Sequence, residues 1–183
     1  MQIRPFLQTD ILDVKAFTDQ AIGQNYFTQD ELKNCFEMSL KDGVNCSFVV
    51  ADASKQIKGL RLSYPPGNWS KGKGSKINPD LWGVDRNKVA YFQSLFVDES
   101  LRGQGLGPKL SLLSIEAFQK LGAVAIITHA WKESPNNSST KYLEKFGFNP
   151  LAEHPDYWID VNYVCTRDQN PCRCTAIEMI KKI

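Results

Sequence analysis

A chain of 183 residues with 42% hydrophobic and 23% charged side chains is long enough to bury a core without disulfides or a metal, and it reads as one domain spanning 1–183. A formal net charge of +2 is too small to make nucleic acid the main partner, and no run approaches the roughly 18 apolar residues of a membrane span. The opening "MQIRPFLQTD" lacks the apolar core of a signal peptide, so the expected address is cytoplasmic and the five cysteines are expected as reduced thiols.

In chain order, "MQIRPF" predicts a first strand. "TDILDVKAFTDQAI" predicts a helix, with Thr9 or Asp10 as N-cap and Ile11, Val14, Phe17 and Ile22 near helical spacing. "TQDELKNCFEMSLKDG" predicts a second helix closed by Gly43, and "SFVVADASKQIKGLRLSY" a hairpin turning at Asp52 to Lys55. Residues 65–88 carry Pro, Gly, Lys and two Trp without an apolar period and predict a long loop, either a substrate-side flap or a solvated insertion. Within it, Lys71, Lys73 and Lys76 read either as an attractor for an acidic ligand or as a solvated charge run.

The strand "VAYFQSLFV" follows, then a glycine-rich turn, then a helix over 108–121 whose buried stripe is Leu110, Leu113, Ala117, Phe118 and Leu121. "AVAIITHAW" is another buried strand, and "STKYLEKF" a helix that Gly147 can end. "DYWIDVNYVC" and "CRCTAIEMI" predict a closing strand hairpin over about 157–180, joined by the turn "TRDQNP". An exposed final strand would be open to pairing with a second copy of the chain as a homodimer.

"LRGQGLGPKL" delivers a strand straight into a helix N-terminus. The first N–H groups of that helix lack carbonyl partners and the macrodipole adds positive charge, while glycines let the backbone curl close around an anion. A pyrophosphate suits such a site. The spacing fits neither a dinucleotide-binding G-x-G-x-x-G turn nor a Walker loop, and leaves Arg102-x-x-Gly105-x-Gly107.

The stretch "LFVDESLRGQGLG" resembles the acetyl-CoA loop of the Gcn5-related N-acetyltransferases, specifically so from Tyr91 to about Phe148. The resemblance implies an α/β (α+β) fold: a central mixed, mostly antiparallel sheet flanked by helices, with a splayed central strand pair. It implies that Leu95, Phe96 and Val97 end the central strand as part of the cofactor site, that the backbone groups of Leu95 and Val97 pair with the pantetheine amides of acetyl-CoA, and that the amides of Arg102, Gly103, Gln104, Gly105, Leu106 and Gly107 hold the pyrophosphate. "SPNNSSTKYLEKFGF" looks like the second cofactor segment of the family, with Asn136 and Ser139 in it. Helix capping is the other reading of Asn136. The implied activity is acetyl transfer from acetyl-CoA to a primary amine by direct attack. No cysteine lies in the motif segments, so no acetyl-enzyme is expected.

The catalytic groups depart from the family pattern. The position of the usual acid tyrosine holds Leu143, and Tyr142 stands one residue earlier, about 100° around a helix. Tyr142 is thus either the acid turned aside or a packed aromatic, with Ser138 and Ser139 as other proton donors. The central strand offers only Gln93 and Ser94 where a glutamate is usual. His129 on the neighbouring strand is the leading base, since an imidazole suits the task, although a buried histidine is often structural. Glu133, Glu153 and His154 are further candidates.

Cys165, Cys172 and Cys174, with Asp168 or His154, have the donor set of a zinc site but lack C-x-x-C knuckles; packing as small hydrophobes accounts for them, and no metal is assigned. The acceptor, a small molecule or a peptide, has no signature in the chain. A catalytically inactive acyl-CoA sensor of the same fold is the alternative, and a module for another phosphate ligand is a third reading.

Overall fold

The structure, a computed structural model, describes residues 1–74, 76–165, 167–169 and 171–183. Strand β1 (Gln2–Pro5) leads through a short 3-10 turn into α1 (Ile11–Ala21), which buries Ile11, Val14, Phe17 and Thr18. Helix α2 (Gln29–Met38) opens on a capping box: Thr28 Oγ1 accepts from the Glu31 N–H at 3.2 Å and the Glu31 carboxylate accepts from the Thr28 N–H at 2.8 Å. It ends at Met38 and not at Gly43. Asp42 and Gly43, with φ of 50° and 75°, instead form the two-residue turn between β2 (Leu40–Lys41) and β3 (Val44–Asn45), because consecutive left-handed residues suit a tight hairpin.

The expected hairpin is β4 (Phe48–Ala51) and β5 (Ile57–Tyr64), and the long apolar strand is β6 (Val89–Val97). Helix α3 (Leu106–Lys120), β7 (Ala125–Trp131) and α4 (Ser138–Lys145) follow, with Gly147 at φ 79° just past α4. Two strands close the chain, β8 (Asn149–His154) and β9 (Ala176–Lys182).

Among the described residues, seven of the nine strands form one sheet in the order β1-β4-β5-β6-β7-β9-β8, in which only β6 and β7 run parallel, and β2 and β3 pair separately. One face packs Val14, Phe17 and Leu32 of α1 and α2 on Leu60, Leu62, Tyr91 and Ile127. The other packs Ile115, Phe118 and Leu143 of α3 and α4 on Phe92, Ile126 and Met179. This is the mixed, mostly antiparallel α/β architecture expected from the sequence.

The last third departs from expectation. Residues 157–165 are not a strand. Turn bonds from Ile159 N to Asp156 O and from Val161 N to Trp158 O fold them so that Tyr157, Trp158 and Tyr163 bury against the α1/α2 face. The partner of β9 is β8, which carries Pro150 and lies at the sheet edge, where a missing N–H is tolerated. Thr166 and Asn170 of the expected turn lie outside the described residues. Strand β9 sits between β7 and β8, so it has no free edge for a second copy.

The described part of the 65–88 segment is anchored to the body at several points, though many of its side chains are exposed. Trp82 is buried and Trp69 nearly so, Lys73 pairs with Glu31 at 2.6 Å, and Lys76 donates to the Pro155 carbonyl. Among the described residues no helix is long and apolar enough to cross a membrane.

Candidate active site

The site begins where the sheet divides. Strands β6 and β7 pair from Val89 opposite Ala125 to Phe92 opposite Thr128, and beyond that rung they no longer pair with each other, while β6 stays on β5 and β7 on β9. The register with β5 slips between Ser63 opposite Phe92 and Leu62 opposite Ser94, which leaves Gln93 as an extra residue on β6; such a bulge bends the strand away from its neighbour. Thr128 Oγ1 donates to Phe92 O at 3.0 Å on the last rung. Asp98 N donates to Lys58 O at 2.9 Å, which fixes the alternation along the end of β6. Phe96 therefore turns its backbone groups to β5, and those of Leu95 and Val97 point into the gap.

At the open end of the gap the chain turns into α3. Gly103 and Gly105 have φ of 81° and 73°, and nothing lies within 4 Å of where a Cβ would stand on either. The helix has no side-chain cap, its first bond runs from Lys109 N to Gly105 O, and Pro108 has no N–H. The amides of Leu106 and Gly107 thus face outward at the positive end of the helix dipole. Helix α3 starts earlier than the apolar stripe predicts because Gly105 can take the left-handed cap position. Arg102 is exposed and paired with Glu99 at 2.9 Å.

Helix α4 closes this side. Leu143 is buried in the core with Phe92, and Tyr142 packs on Phe146 at 5.0 Å. The Tyr142 hydroxyl shares a 2.8 Å bond with Ser111 Oγ, and a Cβ on Gly107 would stand 3.9 Å from that hydroxyl and 3.5 Å from Leu95. Ser111 in turn accepts from Arg61 Nη2 at 2.8 Å; this guanidinium lies over the Phe92 ring, and burial lowers its pKa to about 10. Burial raises the Tyr142 pKa against the opposing pull of Arg61, so the phenol holds its proton. Ser139 Oγ accepts from Trp131 N at 3.2 Å, tying α4 to the end of β7, while Ser138 and Asn136 are exposed, Asn136 with φ 55°.

On the α1/α2 face, the register brings together residues that lie far apart in the chain. His129 stands opposite Glu178, His154 opposite Ala176, and Tyr91 opposite Ile127, so all of these side chains share one face at the vertex of the gap. Tyr91 Oη and His129 Nδ1 share a 2.8 Å bond, Tyr157 stacks on His129 at 4.4 Å, and His154 Nε2 meets Glu178 Oε2 at 2.6 Å. Glu178, fully buried, also accepts from Asn78 N and Trp82 Nε1 and lies 3.9 Å from His129 Nε2. His129, His154 and Glu178 are close enough to ligate a cation, but the carboxylate is already saturated by these donors. Burial, with a smaller contribution from His154, lowers the His129 pKa to about 3, so the imidazole is neutral at physiological pH.

Other sequence candidates lie elsewhere. Glu133 accepts from Thr175 N and pairs with Arg167 at 3.4 Å, and Glu153 pairs with Lys132 on the surface. Ser94 is buried opposite Leu62.

The sequence profile described as "Acetyltransferase (GNAT) family" matches residues 18–148. The chain belongs to that family. A protein of Agrobacterium fabrum named "Acetyltransferase Atu2258" is 34% identical over 113 residues, covering 56% of this chain and 80% of that one. The GNAT fold is matched in full by the ribosomal-protein-S18-alanine N-acetyltransferase of Escherichia coli, at a TM-score of 0.67 and 16% identity over 100% of this chain and 93% of the other. The NatC complex bound to Gag peptide and CoA aligns at a TM-score of 0.69 and 15% identity, over 100% and 99%.

In this GNAT chain the sequence reading missed Tyr91, Tyr157, Trp82 and Glu178. A lone glutamate inside the apolar run "TAIEMI" was the one signal available, since an inward-facing carboxylate needs buried donors.

Proposed function

We propose that the chain is an acetyl-CoA-dependent N-acetyltransferase that moves an acetyl group to a primary amine of a small molecule or peptide by direct attack. The observation that carries this reading is the gap itself, with the backbone groups of Leu95 and Val97 turned into it and a turn at the head of α3 that is open beside Gly103 and Gly105. The arrangement suits acetyl-CoA. An extended amide chain can pair along β6, and a pyrophosphate can lie on the amides of Arg102, Gly103, Gln104, Gly105, Leu106 and Gly107. A neighbour of the same fold, the NatC complex, is bound to Gag peptide and CoA. The five free cysteines suit a reducing, cytoplasmic setting.

Bound there, acetyl-CoA supplies an activated acyl group and a thiolate leaving group. Tyr142, protonated and held by Ser111, is the proton donor on the α3/α4 side. On the other side the neutral His129 shares a hydrogen bond with the Tyr91 hydroxyl and holds it at the vertex of the gap; with the His129 pKa lowered to about 3 by burial, the proton of the amine passes to solvent rather than to the imidazole. Gly72 lies against the Tyr91 and Tyr157 hydroxyls and covers this buried pair.

The test is thermal unfolding with acetyl-CoA, CoA, NADH and ATP in parallel, followed by an amine panel monitored by free thiol. A ligand at about 100 times its Kd adds about 2.7 kcal/mol, a rise of several degrees for a domain of this size. A rise with acetyl-CoA and CoA alone, and thiol release with an amine, is the expected result. Binding without turnover for any amine supports the acyl-CoA sensor instead, and indifference to CoA overturns both.

A further inference from the structure

The segment between β8 and β9 takes no part in the proposed chemistry, yet among the described residues it gathers four metal-ligating side chains. Cys165, Cys172 and Cys174 are buried, Asp168 is half-buried, and one donor atom from each lies within 4.8 Å of all the others. Cys165 Sγ is 3.9 Å from Cys174 Sγ, and Cys174 Sγ is 3.3 Å from Asp168 Oδ2. A tetrahedral zinc with Zn–S near 2.3 Å and Zn–O near 2.1 Å puts its sulfurs about 3.8 Å apart and sulfur to oxygen about 3.6 Å apart. A disulfide needs about 2.05 Å.

We propose that Cys165, Asp168, Cys172 and Cys174 form a structural zinc site that clips this segment to the sheet. Packing as small hydrophobes explains burial of the thiols but not their convergence on a carboxylate. Nor does it explain the polar groups around them. Tyr163 Oη donates to Cys172 Sγ at 3.3 Å, Arg167 Nη1 donates to Cys174 Sγ at 3.9 Å, and the backbone N–H groups of Arg167 and Asp168 face the Cys165 sulfur. The buried indole N–H of Trp131 faces Cys174. A ring of donors around sulfur is the surrounding that thiolate ligands require.

The backbone is arranged accordingly. Cys165 N donates to Gln169 O at 2.7 Å and Gln169 N to Cys165 O at 3.0 Å, a tight turn that carries Asp168 beside Cys165. Cys165-x-x-Asp168 thus has knuckle spacing with a carboxylate in the second place, and Cys172-x-Cys174 completes the set. On binding, three S–H protons pass to solvent as three Zn–S bonds form, and Asp168 supplies the fourth bond as a carboxylate. The site then carries a net charge of −2, which Arg167 partly offsets. Soft thiolates in a four-coordinate arrangement favour zinc over magnesium or calcium. All four positions are protein ligands, so the metal is structural. The same segment holds Tyr157 against His129 and Tyr163 against Tyr26, so the clip also shapes the acceptor face.

The test uses the whole chain, purified in reducing buffer without chelator and assayed by elemental mass spectrometry. About one zinc per chain is expected, lost on chelation together with a fall in Tm and a gain of reactive thiols. Cobalt(II) added to the stripped protein should give the thiolate-to-metal charge-transfer band of a sulfur-rich tetrahedral site. Cys172→Ser should abolish that band and Cys35→Ser, at a buried thiol elsewhere, should leave it. Zinc below about a tenth per chain with no cobalt band overturns the site, as does a mass two hydrogens short with no metal, which would signal a disulfide. If Cys172→Ser fails to fold, the wild-type cobalt spectrum decides alone.

Discussion

Helix α4 has one buried stripe, and Leu143 fills it, which leaves Tyr142 about 100° away and facing the first turns of α3. The one-residue offset from the family pattern therefore changes how the hydroxyl is held without removing it from the gap. Tyr142→Phe keeps the ring contact with Phe146 and loses only the proton donor, so kcat should fall about 100-fold while the Kd for acetyl-CoA stays unchanged. Stopped-flow or steady-state thiol release reads the first quantity and titration calorimetry the second; a weaker Kd with an intact kcat would make Tyr142 a packing residue. His129 makes a different prediction, about stability. Its folded pKa near 3 lies below its unfolded value near 6.5, so between those values the unfolded chain holds a proton that the folded chain refuses. The stability tied to its neutral form is complete above pH 6.5 and is lost as pH falls toward 3, amounting to about 2 kcal/mol by pH 5. Urea unfolding at pH 7.5 and 5.0 should show wild type losing that much more than His129→Gln, and equal losses would mean the imidazole is not held neutral.

Among the elements, those governed by local rules were legible and those governed by register were not. The run from β6 through the glycine turn into α3 announces itself because periodicity, left-handed glycines and a helix N-terminus are all local in sequence. The pairing of Tyr91 with His129, and of His129 with Glu178, depends on which rungs β6, β7 and β9 share, and no spacing in the chain encodes that. Strand β8 was invisible because Pro150 argues against a strand except at an edge, and 157–165 looked like one because aromatic and β-branched residues serve equally well in a packed turn. The 65–88 loop has no period to read, yet it is fixed by fit. A Cβ on Gly72 would stand 2.0 Å from the Tyr91 hydroxyl and 2.7 Å from that of Tyr157, both at the ends of buried, rigid rings. Gly72 does not have a positive φ, so Gly72→Ala carries only the steric cost, about 1–3 kcal/mol, with the loop displaced. Trp69 and Trp82 report that displacement directly: a red-shifted emission with the lowered Tm is expected, and an unshifted spectrum at full stability would show that the loop does not press on the tyrosines.

At the scale of the whole molecule, the sheet is two halves joined edge to edge by the short Val89–Phe92 ladder, with α3 and α4 bridging them on one face. Past that ladder the halves separate, and a molecule that entered the gap as an extra strand would tie them together over the length of β6. Hydrogen exchange resolved by amide tests this, because alternation along β6 sorts neighbouring residues into opposite classes. The Phe96 amide is directed at Leu60 and should exchange slowly with or without ligand. The amides of Leu95 and Val97 point into the gap and should exchange quickly in the free protein. Saturating CoA should slow those two, together with the outward amides of Leu106 and Gly107 at the head of α3, and leave Phe96 where it was. Uniform slowing along β6 would indicate general stabilisation rather than strand-like pairing, and slowing confined to the glycine turn would mean that only the pyrophosphate end is held.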